Sequence, residues 1–199
     1  MGIGAGRPVV AAYASRAQEY ASLLGSLEAT SPLDQELVLR WTQACDGPVV
    51  DLGCGPGHWT HLLHRQGVQV VGLDPVPEFV EYAQRTFPGV RYQVGDSSSL
   101  PGGSAGILAW YSLIHLSPAE LPGVLGQLFT ALRPGGQLLV GFFRGDRVEQ
   151  FDHAVHPAWR WPMTMINDAL TAAGLVVVES QSRQDEGARP HGAVWARRP

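Results

Sequence analysis

A doubly wound α/β domain with a mostly parallel sheet is the fold class this sequence predicts, on three observations. From Pro48 onward, short apolar runs alternate with segments of helical period. The apolar runs are continuous, as in strands buried on both faces. The first of them enters a glycine-dense turn and then an apolar-periodic segment, "VVDLGCGPGHWTHLL" (Val49–Leu63), which reads as strand, tight turn and helix.

The elements follow in order. "MGIGAGRP" is a loose leader. Val9 to Leu27 reads as one helix, with Tyr13, Ala17, Tyr20 and Leu24 on one face. "TSPLDQELVLRWTQA" restarts a helix with Ser31 as N-cap and Pro32 in its first turn, and "DGP" ends it. "PVVDL" is a strand and "HWTHLLHRQG" a helix closed by Gly67. "VQVVGLD" is a strand, "PEFVEYAQRTF" a helix, and "VRYQVGD" a strand. After the loop "SSSLPGGSAG", "ILAWYSLIHL" is an apolar strand running into a turn. "SPAELPGVLGQLFTAL" is a helix begun by Ser117 and ended by "RPGG", and "QLLVGFF" is a strand. "RGDRVEQFDHAVHPAWRW" reads as an irregular connection and "PMTMINDALTAAG" as a helix. "LVVVES" and "HGAVWAR" are final strands with no helix between them, so they pair antiparallel.

Composition bounds the function. The 199 residues suffice for one domain with a substantial core. A net charge of −4 gives no basic surplus for a nucleic-acid backbone. Two cysteines, Cys45 and Cys54, make no disulfide framework. No membrane-length apolar run and no signal-peptide pattern is visible, so the expectation is a reducing, cytoplasmic setting without membrane attachment.

The glycine turn discriminates between ligands. A triphosphate-binding loop needs a lysine after its glycines, and here His58 and Trp59 follow. A dinucleotide turn needs Gly-x-Gly-x-x-Gly; Gly53 and Gly55 fit, but His58 stands at the third position. Asp51 at the strand tip would repel a pyrophosphate by roughly 3 kcal/mol at about 5 Å and an effective dielectric of about 20. The same acid would stabilise a sulfonium or an ammonium. Asp74 ends the second strand, where a carboxylate can accept both ribose hydroxyls. Asp96 ends the third, where it or the backbone at Gly95 and Ser97 can meet an adenine amino group.

"VVDLGCGPGHWT", "VVGLDPVPEFVEYA", "YQVGDSSSLP" and "ALRPGGQLLVGFF" occur in this order from Val49 to Phe143. On these motifs the chain resembles a class I S-adenosylmethionine-dependent methyltransferase of the small-molecule type. The resemblance implies a seven-stranded sheet with an antiparallel last strand. It implies one domain over 1–199: a helical lid (1–45), a cofactor-binding core (46–143), then a cap segment, helix and hairpin (144–199). It implies S-adenosyl-L-methionine as cofactor. Gly53, Cys54 and Gly55 would then approach the methionine part, with Asp51 near its ammonium and His58 and Trp59 close by. Asp74 and Pro75 would hold the ribose, Gly95, Asp96 and Ser97 would border adenine, and Trp110, Tyr111 and Ser112 would lie beside the sulfonium. Tyr20 of the lid would touch the cofactor, and Tyr13 the cofactor or the acceptor. An acid that the family usually carries near the start of the fourth strand is missing from "GGSAGILAW". The Pro-Pro-Tyr/Phe run of adenine and glutamine enzymes and the Pro-Cys nucleophile of cytosine-C5 enzymes are missing too, which favours a small acceptor.

Methyl transfer from a sulfonium is an in-line displacement, so the protein mainly positions the acceptor. A base is needed only where the acceptor must lose a proton. His115 is the candidate base or acceptor orienter, and Tyr111 a second orienter. His153, His156 and Trp159 are candidates to line the acceptor site. Asp152, His153 and His156 lack a further ligand, so no metal site is expected. A small-molecule acceptor is the expected partner, for a monomer or homodimer. The alternatives are a non-catalytic binder of the same cofactor and a nicotinamide-dependent oxidoreductase.

Overall fold

The computed structural model describes residues 6–199; Met1 to Ala5 of the leader lie outside the described residues, and Arg7 and Pro8 already belong to a helix. Three helices come first: α1 (Arg7–Ser15), α2 (Ala17–Leu24) and α3 (Pro32–Gln43). The alternating part follows as β1 (Val49–Leu52), α4 (His58–Arg65), β2 (Val70–Asp74), α5 (Pro77–Thr86), β3 (Arg91–Val94), β4 (Ser104–Trp110), α6 (Leu121–Ala131) and β5 (Leu132–Arg144). Then come β6 (Glu149–Phe151), β7 (Ala158–Trp161), α7 (Met163–Ala172), β8 (Val176–Arg183) and β9 (His191–Arg197).

Seven main strands run β3-β2-β1-β4-β5-β9-β8, and β9 alone is antiparallel to its neighbours. The chain winds outward from β1 to β3 and returns to β4 on the other side. The crevice at that reversal, at the carboxyl ends of β1 and β4, is where open α/β sheets take ligands. Ile107 and Leu138 face one buried cluster, with Leu125, Leu128 and Leu170; Leu108 and Leu139 face the other, with Trp41, Leu37 and Leu63. Both sheet faces are therefore covered, which is why the strands read as unbroken apolar runs. Each such leucine stabilises the fold by about 1.5–3 kcal/mol.

Three sequence expectations change. The single N-terminal helix breaks at Arg16 (φ −123°, ψ 13°), whose guanidinium is drawn to Glu19 and to the Ala154 carbonyl. The break sets Tyr13 and Tyr20 together against Phe79, leaving Leu24 exposed. Helix α6 begins at Leu121, because the Ser117 amide and hydroxyl both donate to the Glu120 carboxylate (2.8 and 2.6 Å) and close a turn first. The irregular connection contains the hairpin β6–β7, and β7 joins β5 at Phe143 and Arg144, past the end of β4 at Trp110. It thereby overhangs the crevice. The Ser31 cap is present, its hydroxyl accepting from the Leu33 amide at 3.3 Å. No helix among the described residues is long and apolar enough to cross a membrane.

Candidate active site

Three glycines make the turn after β1, each for its own steric reason. Gly53 (φ +72°) has no room: a Cβ there would stand 2.2 Å from that of Ser112. Gly57 (φ +92°) is crowded by Ala83 and Tyr92, whose hydroxyl donates to its carbonyl at 3.0 Å. Gly55 (φ +53°) meets nothing within 4 Å, so its bare backbone faces open space. The first and third shape the turn, and the second leaves it open to a ligand.

The two acids at the strand tips part company. Asp74 Oδ2 accepts from the Gly55 amide and Oδ1 from the Val76 amide, both at 2.8 Å. That uses two of about four lone-pair sites on the carboxylate. Burial raises its pKa to about 6, against the pull of those two amides. Asp51 is buried beneath the turn, where its Oδ2 accepts from the Thr60 hydroxyl at 2.6 Å. Burial pushes its pKa up to about 7, with the Thr60 hydrogen bond opposing.

A cavity of about 100 Å³ lies between the turn and the N-terminal helices, lined by Val10, Tyr13, Tyr20, Gly55, Asp74 and Phe79 and closed by Trp110 to Ser112 and His115. A slot of about 40 Å³ adjoins it through Gly53, Pro75 and Ser112 and is bordered by Asp96, Ser97 and apolar Leu52, Leu113 and Leu116. The buried Ser112 hydroxyl between them has no hydrogen-bond partner among the described residues. Asp96 Oδ1 is engaged by the Ser98 amide (2.8 Å) and hydroxyl (2.5 Å), which closes the turn after β3.

His115 is enclosed. Its Nδ1 lies 2.9 Å from the Pro157 carbonyl, which can only accept, so Nδ1 carries the proton. Nε2 then accepts from the Tyr13 hydroxyl at 2.9 Å. Burial lowers the pKa of His115, and the neutral ring is the form both bonds require. The His153 and His156 rings stand 5.5 and 5.7 Å from it, and no group of three or more metal-ligating side chains converges among the described residues. Tyr111 has φ +57°, the only non-glycine positive φ among the described residues. Its hydroxyl contacts His191 Nδ1, and burial raises its pKa.

The structure thus brings Tyr13, Tyr20, Gly53, Gly55, Asp74, Pro75, Trp110, Tyr111, Ser112 and His115 to one cavity, with Asp96 and Ser97 at the slot beside it. Asp51, Cys54, His58, Trp59 and Gly95 do not line these cavities. Cys54 packs with Val80, Ala83 and Tyr92. Trp59 lies in the core beside Trp110, and burial lowers the His58 pKa to about 4. The Gly95 amide donates to the Asp74 carbonyl and so braces the end of β2. His153, His156 and Trp159 belong to the overhanging hairpin and line neither cavity; the Trp159 amide anchors it to the Ile114 carbonyl at 2.8 Å. Sequence reasoning missed Val10, Phe79 and His191. Only the DP after β2 hinted at Phe79, by placing a helix start there.

A family model described as "Methyltransferase domain" matches residues 49–136, from the first strand into the start of β5. That span, 88 of the chain's 199 residues, is similar to methyltransferase domains. The malonyl-[acyl-carrier protein] O-methyltransferase of Serratia marcescens is 26% identical over 168 residues, covering 78% of this chain and 66% of that protein. The chain spans less than two thirds of the length of the curated relatives it matches, 62% for a second such enzyme from Erwinia billingiae. Among solved structures, a Burkholderia thailandensis 1,6-didemethyltoxoflavin-N1-methyltransferase, with S-adenosylhomocysteine bound, superposes with TM-score 0.70 at 23% identity, over 97% of this chain and 91% of that one. The [4+2]-cyclase SpnF superposes with TM-score 0.78 at 17% identity, over 96% and 95%. These likenesses show the fold shared by the methyltransferase domain and its neighbours.

Proposed function

We propose that this domain transfers a methyl group from S-adenosyl-L-methionine to a small-molecule acceptor by in-line displacement. The observation that carries the reading is the bare Gly55 backbone facing a cavity beside the Asp74 carboxylate, with the unpartnered Ser112 hydroxyl across from it. These groups fit the cofactor: Asp74 for the ribose, Gly53 and Gly55 for the methionine part, and the apolar slot at Asp96 and Ser97 for adenine. When bound, the cofactor supplies the electrophilic methyl. Asp51 acts through the turn, holding Thr60 at the start of α4 instead of meeting the ligand. His115 orients: its acceptor nitrogen is taken by Tyr13 while the lid is shut. About 100 Å³ is below the ~300 Å³ where small-molecule pockets begin. Admitting the cofactor therefore moves Tyr13 and Val10 outward and frees His115. The free Cys45 and Cys54 suit a reducing, cytoplasmic setting.

A second reading is binding without methyl transfer, favoured by one observation: a cyclase shares this fold at TM-score 0.78. Calorimetry with S-adenosylmethionine, S-adenosylhomocysteine and NAD tests the cofactor, and release of S-adenosylhomocysteine tests turnover. We expect both adenosyl compounds to bind and NAD not to. Asp74→Ala should weaken S-adenosylhomocysteine by about 30- to 100-fold, the worth of hydrogen bonds to a charged group. Binding of NAD alone would sink the reading.

A further inference from the structure

A second cavity, of about 280 Å³, opens on the far side of Trp110 and Tyr111, between α3 and the β8–β9 hairpin. Trp110 and Tyr111 line it and the cofactor-side cavity alike, so this pair is the partition between the two. The strained Tyr111 backbone is the local exception that sets the partition, and such outliers concentrate at functional sites. His191 holds the Tyr111 hydroxyl and lines the second cavity itself.

The walls state what fits. Its apolar lining is Trp110, Tyr111, Leu33 and Leu37. Its charged lining is Asp34, Glu36, Arg40 and Arg183. Both guanidiniums are already spent. Arg183 forks onto Asp34 at 2.5 and 3.0 Å and reaches Asp185 at 2.8 Å; Arg40 forks onto Glu179 at 3.0 and 3.1 Å. Glu36 adds a further carboxylate beside Arg40. Four carboxylates thus surround two guanidiniums. Of these acids Asp34 and Glu36 line the cavity; with Arg40 and Arg183 both engaged, an anionic acceptor would find no unpaired guanidinium there, whereas a donor-bearing neutral or cationic molecule could use Glu36. By contrast, the histidine cluster under the β6–β7 hairpin has its central ring bonded on both nitrogens.

We propose that this second cavity is the acceptor pocket, and that it takes a flat, N–H-bearing, uncharged or cationic nitrogen compound of one or two rings, not a carboxylate. The assignment rests on the methyltransferase reading, with Tyr111 a positioning residue between acceptor and cofactor.

Ligand-observed NMR on the full chain saturated with S-adenosylhomocysteine tests it without requiring turnover. The probes are three matched sets: neutral nitrogen heterocycles such as adenine and lumazine, cyclic amines, and carboxylates such as malonate and benzoate. The heterocycle or amine sets should bind, and the carboxylates should bind at least about tenfold more weakly. Gln181→Trp places a large ring in this cavity from an exposed strand position, on the face it shares with Glu179 and Arg183, and should abolish that binding while S-adenosylhomocysteine affinity stays unchanged; Leu33→Trp repeats the test from the exposed face of α3. Preferred binding of carboxylates, binding untouched by both tryptophans, or no binding by the nitrogen sets overturns the assignment. Failure of wild type to bind S-adenosylhomocysteine overturns the methyltransferase reading instead.

Discussion

Two walls of the cofactor-side cavity are built by different means. On the glycine-turn side, function is held by local backbone: Asp74 is fixed by amides at Gly55 and Val76, and the glycine torsions set the space. On the other side, side chains from distant parts of the chain hold one another: Tyr13 with His115, His115 with Pro157, Tyr111 with His191. The first kind of site tolerates little change of shape, because backbone cannot repack. The second can open, because each contact is a single hydrogen bond worth about 0.5–1.5 kcal/mol.

The sharpest test of that contrast is Gly53→Ala against Gly55→Ala. At Gly53 the new methyl overlaps Ser112 and the backbone is left-handed, so denaturant unfolding should show a loss of about 3–5 kcal/mol. At Gly55 the methyl enters open space, so stability should fall by only about 1–2 kcal/mol while S-adenosylhomocysteine binding is lost. Equal stability losses would break the comparison.

Next in size is the pH dependence set by Asp51. Its folded pKa of about 7 exceeds the unfolded value, so the native state binds more protons between about pH 4 and 7. Its contribution to stability is fully present below pH 4 and lost as the pH rises through 7. Asp51→Asn removes that loss, so the variant should gain on wild type by on the order of 2–4 kcal/mol across this window. Taking the difference cancels the opposite trend of His58 and His153, both lowered to about 4 by burial. A flat difference curve would show that Asp51 is not desolvated.

The smallest effect belongs to the wall held by side chains. Tyr13→Phe deletes the hydroxyl on His115 Nε2 and should cost about 1 kcal/mol of stability. It should also tighten S-adenosylhomocysteine by up to about fivefold, since the lid then opens more cheaply. Weaker binding would mean that the Tyr13 hydroxyl serves the ligand instead of the latch.

Much of the glycine-turn side was legible in the residues. Gly53, Gly55 and Asp74 sit in one strand–turn–helix–strand stretch, where torsional preference and strand ends decide position. Asp51 was legible as an acid at a strand tip but not in its direction, because Thr60, one turn into the next helix, captures it. The break at Arg16 and the β6–β7 hairpin were illegible. The first depends on Glu19 and the distant Ala154 carbonyl, and the second on an edge of β5 left free beyond β4.

The sequence by itself determined the parallel sheet, its antiparallel closing strand, the glycine turn and the acid that faces the cavity. Those follow from apolar periodicity and backbone torsion, which act over a few residues. Tertiary structure alone decided which histidine nitrogens are free, that Tyr111 parts two cavities, and that four carboxylates surround Arg40 and Arg183. Those depend on side chains about 40 to 150 residues apart meeting at one sheet edge, a juxtaposition that only the completed winding of the sheet creates.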